Sequence, residues 1–396
     1  MTAMQHFARP PVVLVAPLNW GLGHATRCIP LIYGLQALGC EVLTASDGAS
    51  RSLLVEEFPL LTHLSSPHTP VRYSSSKWLF GWAMLKLMPR FWWQIKKEQK
   101  WIVAIANKYH IDAIVADNRY GLAHPTIPSV IITHQLGVRT GYGRYTDSMM
   151  QKLIYRYIDR FKQVWVPDVK EEPSLAGALS HPLTLPKVPV QYMGVLNRLS
   201  KGQPAAATTG QQVLVLLSGP EPQRTLLEKI ILEQAASFTG QLILVRGLPA
   251  TRTDAVEKNS TEQQQYANQA LAHLYGVSRI RIFDHLSAGE LQSLLPSIEY
   301  VICRSGYTTL MEMIPLHKKL VLIATPGQPE QTYLASYADS QHYAPQFSQE
   351  KFSLVHALST ASQYPYRFPS HFNEGPGPSV LAKWVEQIKE TQKGSQ

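Results

Sequence analysis

Residues 301–331 read VICRSGYTTLMEMIPLHKKLVLIATPGQPEQ. An apolar run, Tyr300–Cys303, stops at Arg304-Ser305-Gly306, a helical segment follows, and a second apolar run, Leu320–Thr325, leads into a polar Pro-Gly loop. This is a strand–helix–strand unit with polar residues at both strand ends. In open α/β sheets, ligands bind beyond the carboxyl ends of the strands. Ser305 and Gly306 set main-chain N–H groups at a helix start, which favours an anion by about 0.3–1 kcal/mol. Arg304 supplies a fixed charge of the kind that grips a phosphate bidentately. Glu312, about two turns along the helix, is suited to a pair of neighbouring hydroxyls such as those of a ribose. Gln328, Glu330 and Gln331 add further groups that read hydroxyls. Phosphate, ribose and sugar hydroxyls together describe a nucleotide-sugar. The simpler alternatives are a generic phosphate loop or a plain helix cap.

The run Cys303-Arg304-Ser305-Gly306, with Thr309 and Glu312 after it and Glu330-Gln331 closing it, resembles the nucleotide-sugar site of MurG-like GT-B glycosyltransferases, family 28. The resemblance implies an α/β chain of GT-B fold, two Rossmann-like domains facing a central cleft. It implies an inverting, metal-independent glycosyltransferase that moves a sugar, N-acetylglucosamine or a hexose, from a UDP-sugar to an acceptor hydroxyl. A lipid or glycan acceptor, as in a cell-envelope glycoconjugate, goes with that family. No cofactor is implied, because the UDP-sugar is a substrate.

The rest of the chain is organised accordingly. Val12–Ala16 is a short continuous apolar run, the signature of a buried parallel strand. The loop Pro17–Gly23 follows, then His24 and a helix to about Leu38, which Gly39 ends. A dinucleotide motif is a poor fit here: Thr26 stands where the third glycine belongs. In MurG-like enzymes this loop is glycine-rich and faces the acceptor, which marks Asn19, Gly21 and Gly23. A histidine at this place is often the general base in wider GT-B enzymes, so His24 is the base candidate, with a helix-capping role as its alternative. A helix N-terminus keeps a histidine neutral and able to accept a proton. Ile111–Ala116 is another buried strand, ending at Asp117-Asn118-Arg119. Asp117 either supports His24 as the acid of a catalytic pair or pairs with Arg119. Ser129–Thr133 ends at His134, the reserve base; Asn118 and His134 line the acceptor side. A basic helix is expected over Lys152–Lys162.

The domain plan follows from composition: 1–197 as an acceptor-binding domain, a small and polar linker at 198–212, a nucleotide-sugar-binding domain at 213–362, and a tail and helix at 363–396 that GT-B enzymes often return to the first domain. The second domain opens with Val213–Leu217 and then Ser218-Gly219, which fits the family's donor-phosphate loop. Pro220 and Pro222 remove N–H donors from it and shift weight to Ser218 and Arg224. Arg246, after the strand Gln241–Val245, is placed toward the diphosphate. Phe283, at the end of Arg279–Phe283, begins the main-chain stretch that meets uracil in the family.

The formal net charge is +9 and the pI about 9.3, a balance that suits anionic partners without choosing among them. Residues 72–108 hold five of the eight tryptophans and eight Lys or Arg against the single acid Glu98. Such a segment suits an anionic membrane interface or a helix with its Trp face on the sheet. A stacking platform for single-stranded nucleic acid would use the same residue types, but no recognition motif accompanies the charge, so no nucleic-acid partner is expected and a basic nucleic-acid-binding protein stays a third reading. Three scattered cysteines, no secretory h-region and no long apolar run point to a cytoplasmic protein, at the inner face of the membrane if the interface is used. Asp-x-Asp is absent, so no metal site is expected. A sugar-nucleotide 2-epimerase of the same fold, or a non-catalytic nucleotide-sugar or membrane-surface binding protein, remain alternatives.

Overall fold

The structure, a computed structural model, describes residues 9–67, 80–199, 212–248, 279–373 and 378–394. They divide into two compact units: 9–67, 80–196 and 378–394 form the first, and 197–199, 212–248 and 279–373 the second. The expected linker thus lies mostly outside the described residues, as does Trp78.

The first unit is built on a parallel sheet of β1 (Val12–Pro17), β2 (Glu41–Ser46), β3 (Thr62–Ser65), β4 (Ala113–Asp117), β5 (Ser129–Ile132), β6 (Gln163–Val166) and β7 (Val190–Tyr192). Their order is β3-β2-β1-β4-β5-β6-β7. The central strands are buried from end to end, which is why they read as unbroken apolar runs rather than alternating ones. Helices α1 (Gly23–Ala37), α2 (Gly48–Glu57), α3 (Phe80–Lys108) and α4 (Arg144–Ile158) connect them. Strand order reverses between β1 and β4, and Pro17 lies beside Asp117 in the register. This is the switch point at which open α/β sheets leave room for a ligand.

The basic helix α4 starts eight residues before the expected Lys152. Asp147 accepts from the main chain and hydroxyl of Thr140 at 2.7 and 2.6 Å, and Thr146 donates to Gly143. These local bonds close the turn that starts the helix, and a pattern search over apolar spacing does not see them.

The second unit repeats the plan with β8 (Gln212–Leu216), β9 (Gln241–Val245), β10 (Ile280–Phe283), β11 (Tyr300–Cys303), β12 (Lys319–Ile323) and β13 (Gln346–Phe347), in the order β10-β9-β8-β11-β12-β13, all parallel. Helices α5 (Gln223–Ala235), α6 (Ala288–Leu294), α7 (Tyr307–Met313), α8 (Pro329–Ser340) and α9 (Leu354–Gln363) accompany them. Here the order reverses between β8 and β11, so the loops at Ser218 and Arg304 stand at the second switch point. Each sheet has its own apolar core.

The last helix, α10 (Pro378–Gly394), belongs to the first unit. Leu381, Trp384, Val385 and Ile388 are its buried face. Trp384 meets Trp165 edge to face at 4.9 Å, and Lys389 Nζ donates to the carbonyl of Leu38 at 3.1 Å, just past the end of α1. A Cβ at Gly34 would lie 2.7 Å from the end of the Leu381 side chain, so α10 packs closely on α1 at this glycine. No helix among the described residues is long and apolar enough to cross a membrane.

Truncating Trp384 removes the largest side chain of this contact. Trp384→Ala should cost about 3–5 kcal/mol of stability, read by urea unfolding. A loss below about 1 kcal/mol would mean that α10 is not part of the first unit's core.

Candidate active site

On the first unit, the loop after β1 and the residue ending β4 meet. Gly21 has φ +76°, a conformation open to glycine, and its carbonyl accepts from Ser50 at 3.4 Å. Asn19 lies against Gly48, whose absent Cβ leaves it room. The chain then enters α1 with no side-chain cap, and His24 sits in the first turn with a side chain only 16% exposed.

Asp117 is fully buried. Its Oδ1 lies 3.2 Å from His24 Nδ1, so the structure brings together the pair singled out in the sequence. The dominant partner, however, is Arg27. Its Nε donates to Asp117 Oδ2 at 2.6 Å and its Nη2 to Oδ1, a bidentate grip on the carboxylate. The same guanidinium reaches His24 Nδ1 at 2.7 Å from Nη2 and His134 Nδ1 at 3.3 Å from Nη1. Arg119, the alternative partner, is turned away to Glu98 at 3.0 Å. Arg27 escaped the sequence reading; its signal is the i,i+3 spacing from His24, which places both on one helix face.

Burial opposes ionisation of Asp117, yet Arg27 and then His24 hold its carboxyl down at about 2. Burial, reinforced by the Arg27 charge, lowers His24 below its ordinary 6.5, so the imidazole is neutral near pH 7. Its Nε2 has no hydrogen-bond partner among the described residues and is open to a substrate. Asn118, at φ 52°, carries a buried Oδ1 that is likewise unpartnered.

On the second unit the polar groups sort differently from expectation. Arg304, expected at the donor phosphate, is fully buried and donates to the carbonyls of Gln223 at 2.8 Å and of Ile323 and Ala324 at 3.4 Å, and to Gln349 Oε1 at 2.6 Å, while its Nε has no partner among the described residues. Burial lowers its pKa to about 10. It ties the loops together from inside instead of presenting charge to a phosphate. Arg246, expected toward the diphosphate, is partly exposed and held by Glu228 at 2.7 Å and Asp284 at 2.9 Å, while Arg224 pairs with Glu221 and Glu228. Glu312 accepts from Arg198 Nε at 2.7 Å, so one carboxylate oxygen is already taken. Ser305 is buried and donates to the carbonyl of Gln331 at 2.7 Å, and Gln331 Oε1 in turn accepts from the Thr325 N–H at 2.9 Å. Phe283 lends its carbonyl to the Arg246 N–H at 2.8 Å. Thr309, Gln328 and Glu330 lie half-buried on α7 and at the start of α8.

What these ties leave open is backbone. Ser218 and Gly219 are exposed, Gly219 at φ +99°, and space around Gly306 is empty within 4 Å of where a Cβ would stand. Thr325 Oγ1 is buried without a hydrogen-bond partner, 3.4 Å from the Cβ position of Gly219. Sequence reading passed over Thr325; only the fold carries the end of β12 to the loop after β8. Among the described residues, no group of three or more His, Cys, Asp and Glu gathers as a metal site would require.

Two outcomes test this geometry. Arg27→Met leaves Asp117 buried and unpaired and should cost about 3–5 kcal/mol, with part regained in Arg27→Met/Asp117→Asn; no regain in the double variant would contradict the pairing. The second is a pH slope. Unfolded His24 takes up a proton near 6.5 and folded His24 only at lower pH, so its share of stability is whole above 6.5 and declines as pH falls through that value. Unfolding free energies of His24→Gln should therefore fall less steeply from pH 7 to 5 than those of the wild type; equal slopes would refute the shift.

Residues 248–366 match the glycosyltransferase family 28 C-terminal domain. No curated protein matches the chain by sequence. Among solved structures, the chain is similar to the glycosyltransferase SnogD from Streptomyces nogalater, at 15% identity and TM-score 0.59 over 96% of this chain and all of that one. It is similar to MurG of Acinetobacter baumannii at 14% identity and TM-score 0.52, covering 96% and 99%. It is also similar to UGT89C1 of Arabidopsis thaliana, solved with UDP-L-rhamnose, at 12% identity and TM-score 0.57, covering 98% and 96%. Residues 248–366 thus match a family 28 glycosyltransferase C-terminal domain, and the whole chain has the two-domain α/β GT-B fold of these glycosyltransferase structures.

Proposed function

We propose that the protein transfers a sugar from a UDP-sugar to an acceptor hydroxyl with inversion and without a metal. The observation that carries this reading is His24, neutral, in contact with Asp117 and with Nε2 open, at the switch point of the first sheet. UDP as the carrier is supported by the Arabidopsis neighbour, which was solved with UDP-L-rhamnose.

The chemistry closes in one displacement. The acceptor hydroxyl gives its proton to His24 Nε2 as its oxygen bonds to the anomeric carbon. The bond from that carbon to the diphosphate breaks, and UDP leaves with the electron pair. Attack opposite the leaving group inverts the anomeric centre. Nδ1–H, donated to Asp117, stabilises the imidazolium that forms, and general-base help of this kind is worth about 10²–10⁴ in rate. The departing charge falls to main-chain N–H groups at Ser218-Gly219 and Ser305-Gly306 and to Thr325 Oγ1, a preorganised set that needs no reorientation. Glu312 and Gln328–Gln331 belong to the sugar and ribose side of this reading.

The acceptor in this proposal is a lipid-borne or glycan hydroxyl met at the inner face of a membrane. Its support is α3, where Trp92 and Trp93 are about half exposed and Lys97 lies 3.8 Å over the Trp93 ring, a pairing that suits the headgroup region. The rest of the Trp-rich segment lies largely outside the described side chains.

Incubation with UDP-, GDP-, dTDP- and ADP-sugars, followed by nucleotide release, tests the function. One UDP-sugar should bind selectively and release UDP slowly, insensitive to EDTA. His24→Gln should lose about 10²–10⁴ in turnover with UDP affinity unchanged; loss of affinity instead would remove His24 from the chemistry. Thr325→Val, nearly isosteric, should weaken UDP by about tenfold with no loss of stability. Unchanged UDP binding would take Thr325 out of the donor site.

A further inference from the structure

The contacts at His24 Nδ1 conflict in a way that fixes a proton. Two groups approach this one atom, Arg27 Nη2 at 2.7 Å and Asp117 Oδ1 at 3.2 Å. Nη2 of an arginine always carries hydrogens and never accepts. At 2.7 Å its N–H therefore needs a lone pair on Nδ1. A hydrogen on Nδ1 would set two donors head to head at that distance, to gain a longer bond to a carboxylate that already accepts two N–H groups from Arg27. Nη2 has two hydrogens, and one points to each of its neighbours, Asp117 Oδ1 and His24 Nδ1. The ring's single proton then belongs on Nε2, the nitrogen open to a substrate. In that form His24 offers a hydrogen-bond donor where the base reaction needs a lone pair.

We propose that Arg27 is a positioning residue that decides which nitrogen of His24 carries the proton: in the substrate-free protein it holds Nδ1 as an acceptor, and His24 becomes a base only once Nδ1–H is donated to Asp117 instead. This inference rests on His24 being the base of the transfer reaction. The exchange is balanced: Nε2 releases one proton to solvent, Nδ1 gains one, and the ring stays neutral. Oδ1 of Asp117 already lies 3.2 Å away, so the change asks for a shift of the guanidinium and not of the carboxylate. The charged and titratable groups acting on the ring are Arg27 from α1, Asp117 from β4 and His134 after β5, with Cys28 and Tyr120 close to Asp117. Arg27 is the group that touches both histidines and the acid.

The test is the tautomer itself. The full chain, labelled with ¹⁵N-histidine and free of substrate, is examined by long-range ¹H–¹⁵N correlation at pH 8, with His24 assigned by the signal lost in His24→Gln. The proposal expects His24 as the Nε2–H tautomer with Nδ1 unprotonated, and expects Arg27→Met to move the proton to Nδ1 against Asp117. A wild-type His24 that is Nδ1–H, or an equal exchanging mixture, overturns it, and so does a folded Arg27→Met whose tautomer is unchanged. Should Arg27→Met fail to fold, the wild-type spectrum alone decides. Because no substrate is present, a failed transfer assay would sink the transferase reading without altering the tautomer, and a wrong tautomer would sink the role of Arg27 without altering transfer.

Discussion

The first domain depends on one buried ion pair, Arg27 with Asp117. Two full charges inside a protein are costly unless each is closely paired and its remaining hydrogen-bonding capacity is filled. Here the carboxylate takes two N–H groups from one guanidinium, and that guanidinium also reaches two imidazoles. The pair fastens the first turn of α1 to the end of β4 and so holds the switch point of the sheet in one shape. It also sets the electrostatics of His24. Burial first, and then the positive neighbour, keep the imidazole neutral, and the carboxylate stands ready to stabilise it once charged. Structural and chemical roles are therefore the same contacts.

The second domain is held together by the opposite use of arginine. Arg304 lies inside, and its donors go to main-chain carbonyls at the ends of β12 and the start of α5. Arg224 and Arg246 are neutralised by Glu221, Glu228 and Asp284. Among the described residues of these loops, Gly219 is exposed, the space beside Gly306 is empty, and the buried Thr325 hydroxyl and Arg304 Nε have no partner. In the proposed reading these groups meet a diphosphate through fixed N–H and O–H dipoles, which cost no side-chain ordering when the ligand arrives.

Much of the architecture was legible in the sequence, for a definite reason. Strands buried on both faces must be unbroken apolar runs, and Val12–Pro17, Ala113–Asp117 and Tyr300–Cys303 are such runs. The residues that follow them fall at switch points by topology, so the meeting of His24 and Asp117 was readable as well. Pairings were not. A lone arginine in sequence reads as exposed and available, because buried arginine is rare; neither the inward turn of Arg304 nor the capture of Asp117 by Arg27 has a local signature. Arg198, read as linker, turned out to be the partner of Glu312. Thr325 was missed because nothing in its own stretch relates it to Gly219; only the parallel order of β8, β11 and β12 does.

The central claim is that the second domain binds a nucleoside diphosphate through its open backbone and Thr325 while its arginines stay in place. A crystal structure of the chain with UDP tests this most directly. The account predicts the diphosphate at the loops after β8 and β11, within hydrogen-bond distance of Thr325 Oγ1, with Arg304 still buried against Gln223 and Gln349. A diphosphate held by an Arg304 swung out of the core, or UDP bound away from these loops, would contradict it.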